Sequence, residues 1–164
     1  LMKRAVNTKM KQMDLKYGNN NQAIAKELIE DWLDVPLREY KDKWSTFDFY
    51  NNSLKILVEL KRRRNDSKKY ETQLIGKNKW DKARLKLKEG YKVYFFYLLT
   101  DGLWCYEVNA NHEFQTSLLG NYARNDKTSE LVLIPSIYLQ KTIPKQLQEE
   151  TGIKKVEPYI MKWT

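Results

Sequence analysis

Residues 46–61 read TFDFYNNSLKILVELK, and this stretch decides how the centre of the chain folds. Residues 46–50 are rich in aromatic side chains, residues 51–53 supply the asparagines and serine of a turn, and residues 54–60 are mostly aliphatic. Two apolar runs on either side of a short polar segment are typical of paired antiparallel strands. The sequence therefore predicts a β-hairpin at the centre of the fold.

Among the ionisable side chains of this apolar hairpin, three could form one site, namely Asp48, Glu59 and Lys61. Side chains alternate between the two faces of a strand, so Glu59 and Lys61 should share one face. A carboxylate among apolar residues is costly to desolvate unless it has a partner. Carboxylates are the hard oxygen ligands that hold Mg²⁺, and a nearby lysine can orient an attacking water or offset charge on a phosphate. This trio is suited to phosphodiester hydrolysis; the alternative is an exposed cross-strand ion pair.

The length of the hairpin turn decides whether Asp48 reaches the other two groups. A two-residue turn at Asn51-Asn52 puts Asp48 on the face of Glu59, but opposite Lys55 and roughly 13 Å from Glu59 along the strand. A three-residue turn would put Asp48 on the opposite face. Convergence of Asp48 and Glu59 therefore requires a longer turn, a bulge or a strong strand twist.

Positive charge is concentrated in the segment that includes the second strand. Fourteen lysines and arginines and five acidic residues lie in residues 55–92, so this segment carries the entire formal charge of +9. Such a segment is expected where a surface meets a polyanion, and the alternative is a solvated, lysine-rich helix face. The candidate phosphate contacts follow Lys61 directly or lie at the start of the second predicted helix, where the helix dipole favours anions. They are Arg62, Arg63, Arg64, Lys77 and Lys79.

The remaining patterns predict helices around a sheet. Helical spacing of apolar residues, with Pro36 or Gly90 beyond the last turn, indicates helices. Apolar runs broken by turns or by Pro135 indicate further strands. The predicted helices cover about residues 21–35, 77–88 and 144–151, and the predicted strands cover about residues 93–99, 103–108, 131–134 and 137–139.

This order of elements predicts an α/β (α+β) fold with a mixed β-sheet flanked by helices. We expect a basic N-terminal arm over residues 1–20 and one domain over residues 21–164. The single Cys105 and the single His112 exclude an intramolecular disulfide and a Cys/His zinc cluster, and we expect them in the core and in a loop, respectively. No apolar run approaches the roughly 20 residues of a membrane span, so we expect an intracellular protein with no membrane partner.

The residues of the hairpin resemble a known family. Phe47-Asp48-Phe49 is followed, eleven positions after Asp48, by Glu59 within Val58-Glu59-Leu60-Lys61. This pattern is similar to the motif of the PD-(D/E)xK, or restriction-endonuclease-like, superfamily of nucleases. Residues 69–79 are similar to small nucleases of this superfamily from phages and large DNA viruses, including homing-type endonucleases. The resemblance covers residues 24–108, and Phe47 stands where the motif has proline.

The resemblance implies a metal-dependent DNA endonuclease of homing or restriction type with a restriction-endonuclease-like core. It implies that Asp48 and Glu59 bind Mg²⁺, for which Mn²⁺ can substitute, and that Lys61 is the catalytic lysine. It further implies that Glu27 or Glu30 of the first helix is an additional catalytic acid. DNA is the expected partner, and a homodimer is compatible with the sequence. Two alternatives stay open: an RNA endonuclease, since no base-reading element is identifiable, and a non-catalytic nucleic-acid-binding module with the same fold.

Overall fold

The computed structural model describes residues 21–42, 45–118 and 130–143. The arm expected at residues 1–20 and the helix expected at residues 144–151 lie outside the described residues. Among the described residues, no helix is long and apolar enough to cross a membrane. The elements in chain order are α1 (Asn21–Leu33), β1 (Arg38–Glu39), β2 (Phe49–Asn51), β3 (Ile56–Arg62), β4 (Thr72–Gly76), α2 (Lys77–Lys88), β5 (Lys92–Leu99), β6 (Gly102–Glu107), β7 (Thr116–Leu118), β8 (Glu130–Pro135), a 3-10 helix (Ser136–Tyr138) and β9 (Gln140–Lys141).

The larger sheet is mixed and runs in the order β1-β2-β3-β5-β6-β9. Strands β3 and β5 are parallel, and the other neighbouring pairs are antiparallel. Parallel neighbours need a long crossover connection, and here β4 and α2 lie within it. The predicted mixed sheet with flanking helices is confirmed, and the architecture is consistent with a restriction-endonuclease-like fold.

The two helices pack against opposite faces of this sheet. Helix α1 buries Ile29 in one core cluster with Val58 of β3. Helix α2 buries Trp80 in the other core cluster with Leu57 of β3. Because side chains alternate along a strand, the next odd-numbered residue of β3, Glu59, belongs to the α2 face. The face on which the predicted catalytic groups lie is therefore the one that α2 covers.

A second, three-stranded sheet in the order β4-β8-β7 adds to the layer on the α2 side. Ile75 of β4 and Ile134 of β8 are fully buried in the core cluster that contains Tyr97 of β5. The Tyr97 hydroxyl donates a hydrogen bond to the Leu74 carbonyl at 3.1 Å. Since α2 starts directly after β4, this packing fixes where the first turn of α2 meets the larger sheet.

The prediction of a strand over residues 137–139 is wrong. The strand predicted just before it is present as β8, but the chain then turns into the 3-10 helix. The amide of Ser136 donates to the carbonyl of Glu71 at 2.7 Å, and the Leu139 amide donates back to the Ser136 carbonyl at 3.0 Å. These contacts bend the chain after β8, so residues 137–139 do not continue that strand.

Candidate active site

The turn between β2 and β3 is longer than the two residues of the tightest hairpins. Asn51 pairs with Ile56, so residues 52–55 form the turn. The Asn51 side-chain oxygen accepts a hydrogen bond from the Leu54 amide at 2.9 Å. Lys55 closes the turn with a positive φ of 54°, a conformation that L residues adopt rarely. Asparagine suits the first position because its side chain can imitate a backbone turn.

The longer turn brings Asp48 beside Glu59. Phe49 pairs with Val58, the residue before Glu59. The Asp48 amide donates to the Val58 carbonyl at 2.9 Å, so Asp48 and Phe49 both lie alongside Val58, as in a β-bulge. The Leu60 amide donates to the Asp48 carboxylate at 2.7 Å, and this hydrogen bond holds the Asp48 side chain against β3. A longer turn and a bulge, two of the three routes considered from the sequence, therefore act together.

Glu59 is the most buried ionisable group of the site, with 2% of its surface exposed. Burial, the hydrogen bond with Asp48 and the negative charge of Asp48 together raise the pKa of Glu59 to about 8, and burial is the largest cause. The positive charges of Lys61 and Lys79 oppose this shift. Two carboxyl groups in contact inside a protein favour a shared proton or a bound cation.

Lys61 lies on the same face of β3 as Glu59 and is partly buried. Burial lowers the pKa of the Lys61 ammonium, and the charge of Glu59 opposes that shift. The positive charges of Lys79 and Arg63 also lower it. A partly desolvated amine with a lowered pKa beside a carboxylate pair can hold a water molecule or accept its proton.

Lys79, one of the predicted phosphate contacts, lies within this site. It is in the first turn of α2, and its ammonium forms an ion pair with the Glu59 carboxylate, which the sequence did not predict. It also donates to the Thr46 carbonyl at 3.0 Å, two residues before Asp48. Helical spacing could have predicted that Lys79 faces the sheet. Lys79 lies one turn before Ala83 and therefore on the same face of α2, and Ala83 is fully buried.

The structure does not bring Glu27 to this site. Among the described residues, no group of three or more histidine, cysteine, aspartate or glutamate side chains could hold a metal ion, so neither Glu27 nor Glu30 joins Asp48 and Glu59. Glu27 is exposed on α1, which packs against the other face of β3. The Glu30 carboxylate accepts a hydrogen bond from the Leu37 amide at 2.8 Å and so supports the chain after α1.

The predicted phosphate-binding cations have different surroundings. Arg62 ends β3, and the Arg63 amide donates to the Leu98 carbonyl at 3.0 Å, so these residues continue from the strand that carries Glu59. Arg64 is exposed. Lys77 pairs with Asp81 one turn along α2 at 2.7 Å, which offsets its charge locally. The arginines therefore keep the position expected of them, at the Lys61 end of β3.

Cys105 and His112 take no part in the site. Cys105 is buried in the core on the α1 side. The His112 ring hydrogen-bonds the Tyr106 hydroxyl at 2.8 Å and packs against Tyr138 and Phe114. Both residues have the structural roles expected from the sequence.

The donor set of this site suits a hard divalent cation. Asp48 and Glu59 supply two adjacent carboxyl groups, and a cation between them would offset the repulsion between their negative charges. Magnesium commonly uses one or two protein carboxylates and completes its coordination with water and substrate phosphate oxygens. The ammonium of Lys79 already provides positive charge at Glu59, so a metal there would compete with it.

A comparison with protein families places the chain in a nuclease family. A family model with the description "Phage putative PDDEXK endonuclease" matches residues 12–139, which is more than half of the chain. The matched range contains Asp48, Glu59, Lys61 and Lys79. A comparison with curated proteins gave no match.

Proposed function

Since the chain belongs to the phage PDDEXK endonuclease family, we propose that it is a divalent-metal-dependent DNA endonuclease whose reaction centre is formed by Asp48, Glu59 and Lys61. The observation that carries this proposal is the contact between the Asp48 and Glu59 carboxyl groups on the face of β3 that also presents Lys61. Carboxylates in contact with a lysine beside them are the groups that metal-assisted hydrolysis of a phosphodiester needs.

Asp48 and Glu59 would hold the metal, with Mg²⁺ as the natural ion and Mn²⁺ as a substitute. When bound, the metal supplies Lewis-acid polarisation of the phosphate and lowers the pKa of a bound water. The Leu60 amide keeps the Asp48 carboxylate oriented toward the site, because it donates to that carboxylate at 2.7 Å. Lys79 balances the charge of Glu59 while the metal is absent.

Lys61 would act on the attacking water. Its partly buried amine lies on the face of Glu59, and its lowered pKa leaves a larger fraction of it uncharged, and so able to accept a proton, than in an exposed lysine. In its charged form the same group would offset the negative charge that builds on the phosphate in the transition state. Either role needs the side chain to stay beside the reacting phosphate.

Arg62, Arg63 and Arg64 would hold the DNA backbone next to the cut. They continue from β3 directly beyond Lys61, so phosphates flanking the scissile bond would meet them. The formal charge of +9 on residues 55–92 supports a polyanionic substrate. The family description supports an endonuclease, and DNA is the substrate that we propose.

The test is digestion by the purified full-length chain. Supercoiled plasmid, linear duplex DNA and single-stranded RNA would be incubated with Mg²⁺, Mn²⁺, Ca²⁺ or EDTA. We expect cutting of circular DNA with Mg²⁺ and Mn²⁺, little cutting with Ca²⁺ and none with EDTA. Cutting of RNA alone would favour the RNA endonuclease instead. DNA binding without cutting in any metal would favour the non-catalytic binding module.

A further inference from the structure

The loop between β3 and β4, residues 63–71, starts two residues after Lys61 and carries an exposed tyrosine near its end. Tyr70 is 51% exposed, and it is the most exposed aromatic side chain among the described residues. A large ring in water is not explained by packing, since most tyrosines of this chain that the structure describes are at least partly covered. An exposed aromatic in a basic loop that follows the strand of Glu59 and Lys61 suggests contact with the substrate.

The first half of this loop is anchored to the sheet. The Thr100 amide donates to the Asn65 carbonyl at 3.1 Å. The Ser67 amide donates to the Asp101 carboxylate at 3.0 Å, and the Ser67 hydroxyl bonds the other oxygen of that carboxylate. Ser67 is 2% exposed, so this anchor is buried. The loop is therefore fastened to the turn between β5 and β6.

The second half of the loop is anchored to the 3-10 helix. The Ser136 hydroxyl donates to the Tyr70 carbonyl at 3.0 Å, and the Ser136 amide donates to the Glu71 carbonyl at 2.7 Å. The backbone at Tyr70 is thus fixed while its ring projects outward. A ring presented by a fixed backbone loses little conformational entropy when it binds a flat partner.

The charge around the ring suits a nucleic acid. Lys69 places its ammonium 5.5 Å from the centre of the Tyr70 ring. The loop also carries Arg63, Arg64 and Lys68, so its four cations outnumber its two acids, Asp66 and Glu71. The carboxylate of Asp66 accepts a hydrogen bond from the Lys68 amide at 2.8 Å. A base that stacks on the ring would bring its phosphates next to these cations.

On the basis of the proposed function, we propose that Tyr70 stacks on an unpaired base close to the scissile phosphate, so that the substrate is DNA with an interrupted base stack. In a continuous duplex each base is covered on both faces by its neighbours. A ring on an anchored loop can reach a base face only where a strand is single, gapped or branched, unless it pays the cost of unstacking a pair. This reasoning selects flaps, gaps or junctions over continuous duplex.

The test compares binding of two DNAs by the full-length chain in Ca²⁺, one a continuous duplex and one with a short central gap. Removing one base–aromatic stack lowers affinity by about 5- to 150-fold. We expect the wild type to bind the gapped DNA more tightly than the continuous duplex by a factor in that range. Tyr70→Leu should lose this preference, and Tyr70→Phe should keep it. A 2-aminopurine at the gap should be quenched by the wild type and by Tyr70→Phe.

The matched control is Tyr91→Leu. Tyr91 also has lysine ammoniums near its ring, Lys55 at 5.9 Å and Lys86 at 5.3 Å, but it lies just before β5, at the end of the sheet opposite the loop. This variant should keep the wild-type preference. Equal affinity of the wild type for both DNAs, or an unchanged preference in Tyr70→Leu, would overturn the inference. The same preparations would also be tested for metal-dependent cutting of plasmid. Cutting without a preference for gapped DNA would contradict only this inference, whereas the absence of cutting would contradict the proposed nuclease.

Discussion

The ammonium of Lys79 forms an ion pair with the carboxylate of Glu59, although the two residues lie 20 positions apart in the chain. The side chain of Glu59 is 3% exposed and that of Lys79 is 23% exposed, so the pair lies mostly out of water. A second contact, from Lys79 to the Thr46 carbonyl at 3.0 Å, ties α2 to the segment before Asp48. Lys79 therefore joins the three segments that form the candidate active site, and it stands where a metal ion would compete with it.

Removing Lys79 should tighten metal binding. We expect Lys79→Met to raise the affinity for Mn²⁺ by about tenfold or more, because a positive charge a few Å from the ion costs it at least about 1.4 kcal/mol. The measurement is calorimetric titration at pH 9, where proton competition at Glu59 is small. Lys77→Met is the matched control, since Lys77 is two positions away and pairs with Asp81 on the surface. Equal affinities for the two variants would contradict the prediction.

Both carboxylates should be needed for cutting. We expect Asp48→Asn and Glu59→Gln each to abolish metal-dependent cleavage of plasmid, while DNA binding persists or strengthens because a negative charge is lost. Glu27→Gln serves as the control, because the described residues do not bring Glu27 to the site. It should cut at close to the wild-type rate. Loss of cutting in Glu27→Gln would return the helix acid to the catalytic set.

Lys61 should matter for rate and not for metal affinity. Removing one preorganised electrostatic group costs about 10²- to 10³-fold in turnover. We expect Lys61→Ala to fall by that factor in single-turnover cleavage with an unchanged Mn²⁺ titration. Lys61→Arg should recover little, because a planar guanidinium neither acts as a compact charge nor releases its proton. Near wild-type cutting by Lys61→Ala would reduce Lys61 to a surface cation.

The free energy of unfolding should fall as pH rises in the absence of metal. The pKa of Glu59 is raised to about 8 by burial and by Asp48. The folded state therefore binds this proton more tightly than the unfolded state, so its stabilising effect is complete below the unfolded pKa and is lost as pH rises through about 8. The limiting slope for one group is about 1.4 kcal/mol per pH unit.

Urea unfolding in EDTA between about pH 5.5 and 8.5 tests this dependence, with Glu59→Gln as the variant that cannot titrate. The wild type should lose stability relative to Glu59→Gln as pH rises across this window. Addition of Mn²⁺ should reverse the trend, because the metal binds the ionised carboxylates. Parallel pH profiles for the two proteins in EDTA would show that Glu59 ionises normally.

The three consecutive arginines should carry phosphate contacts. Replacing Arg62, Arg63 and Arg64 together by Gln should lower the salt slope of DNA binding by up to about three phosphate equivalents. The control removes the same charge elsewhere in the basic segment, through Lys82→Gln, Lys88→Gln and Lys92→Gln, all of which are exposed. Fluorescence anisotropy at several salt concentrations measures both slopes. A larger loss in the control would move the DNA surface to α2.

Local patterns in the sequence were enough to predict the elements that carry the chemistry. Alternation along residues 54–60 predicted β3 and placed Glu59 and Lys61 on one face, as the structure has them. Helical spacing and Gly90 predicted α2, which spans Lys77–Lys88. These features depend on backbone geometry that repeats every two or about 3.6 residues, so a short window of sequence contains them.

Tertiary structure decided how these elements meet. The sequence left the turn length open, and the observed register, with Phe49 opposite Val58, places Asp48 against the stretch of β3 that contains Glu59. Lys79 reaches Glu59 because β4 and α2 pack over that face of the sheet. The same turn chemistry permits several loop lengths, and a lysine at a helix start can face water or protein. The choice depends on which arrangement buries the apolar faces of β3 and α2 and still gives the buried carboxylate a partner, an energy summed over residues far apart in the chain.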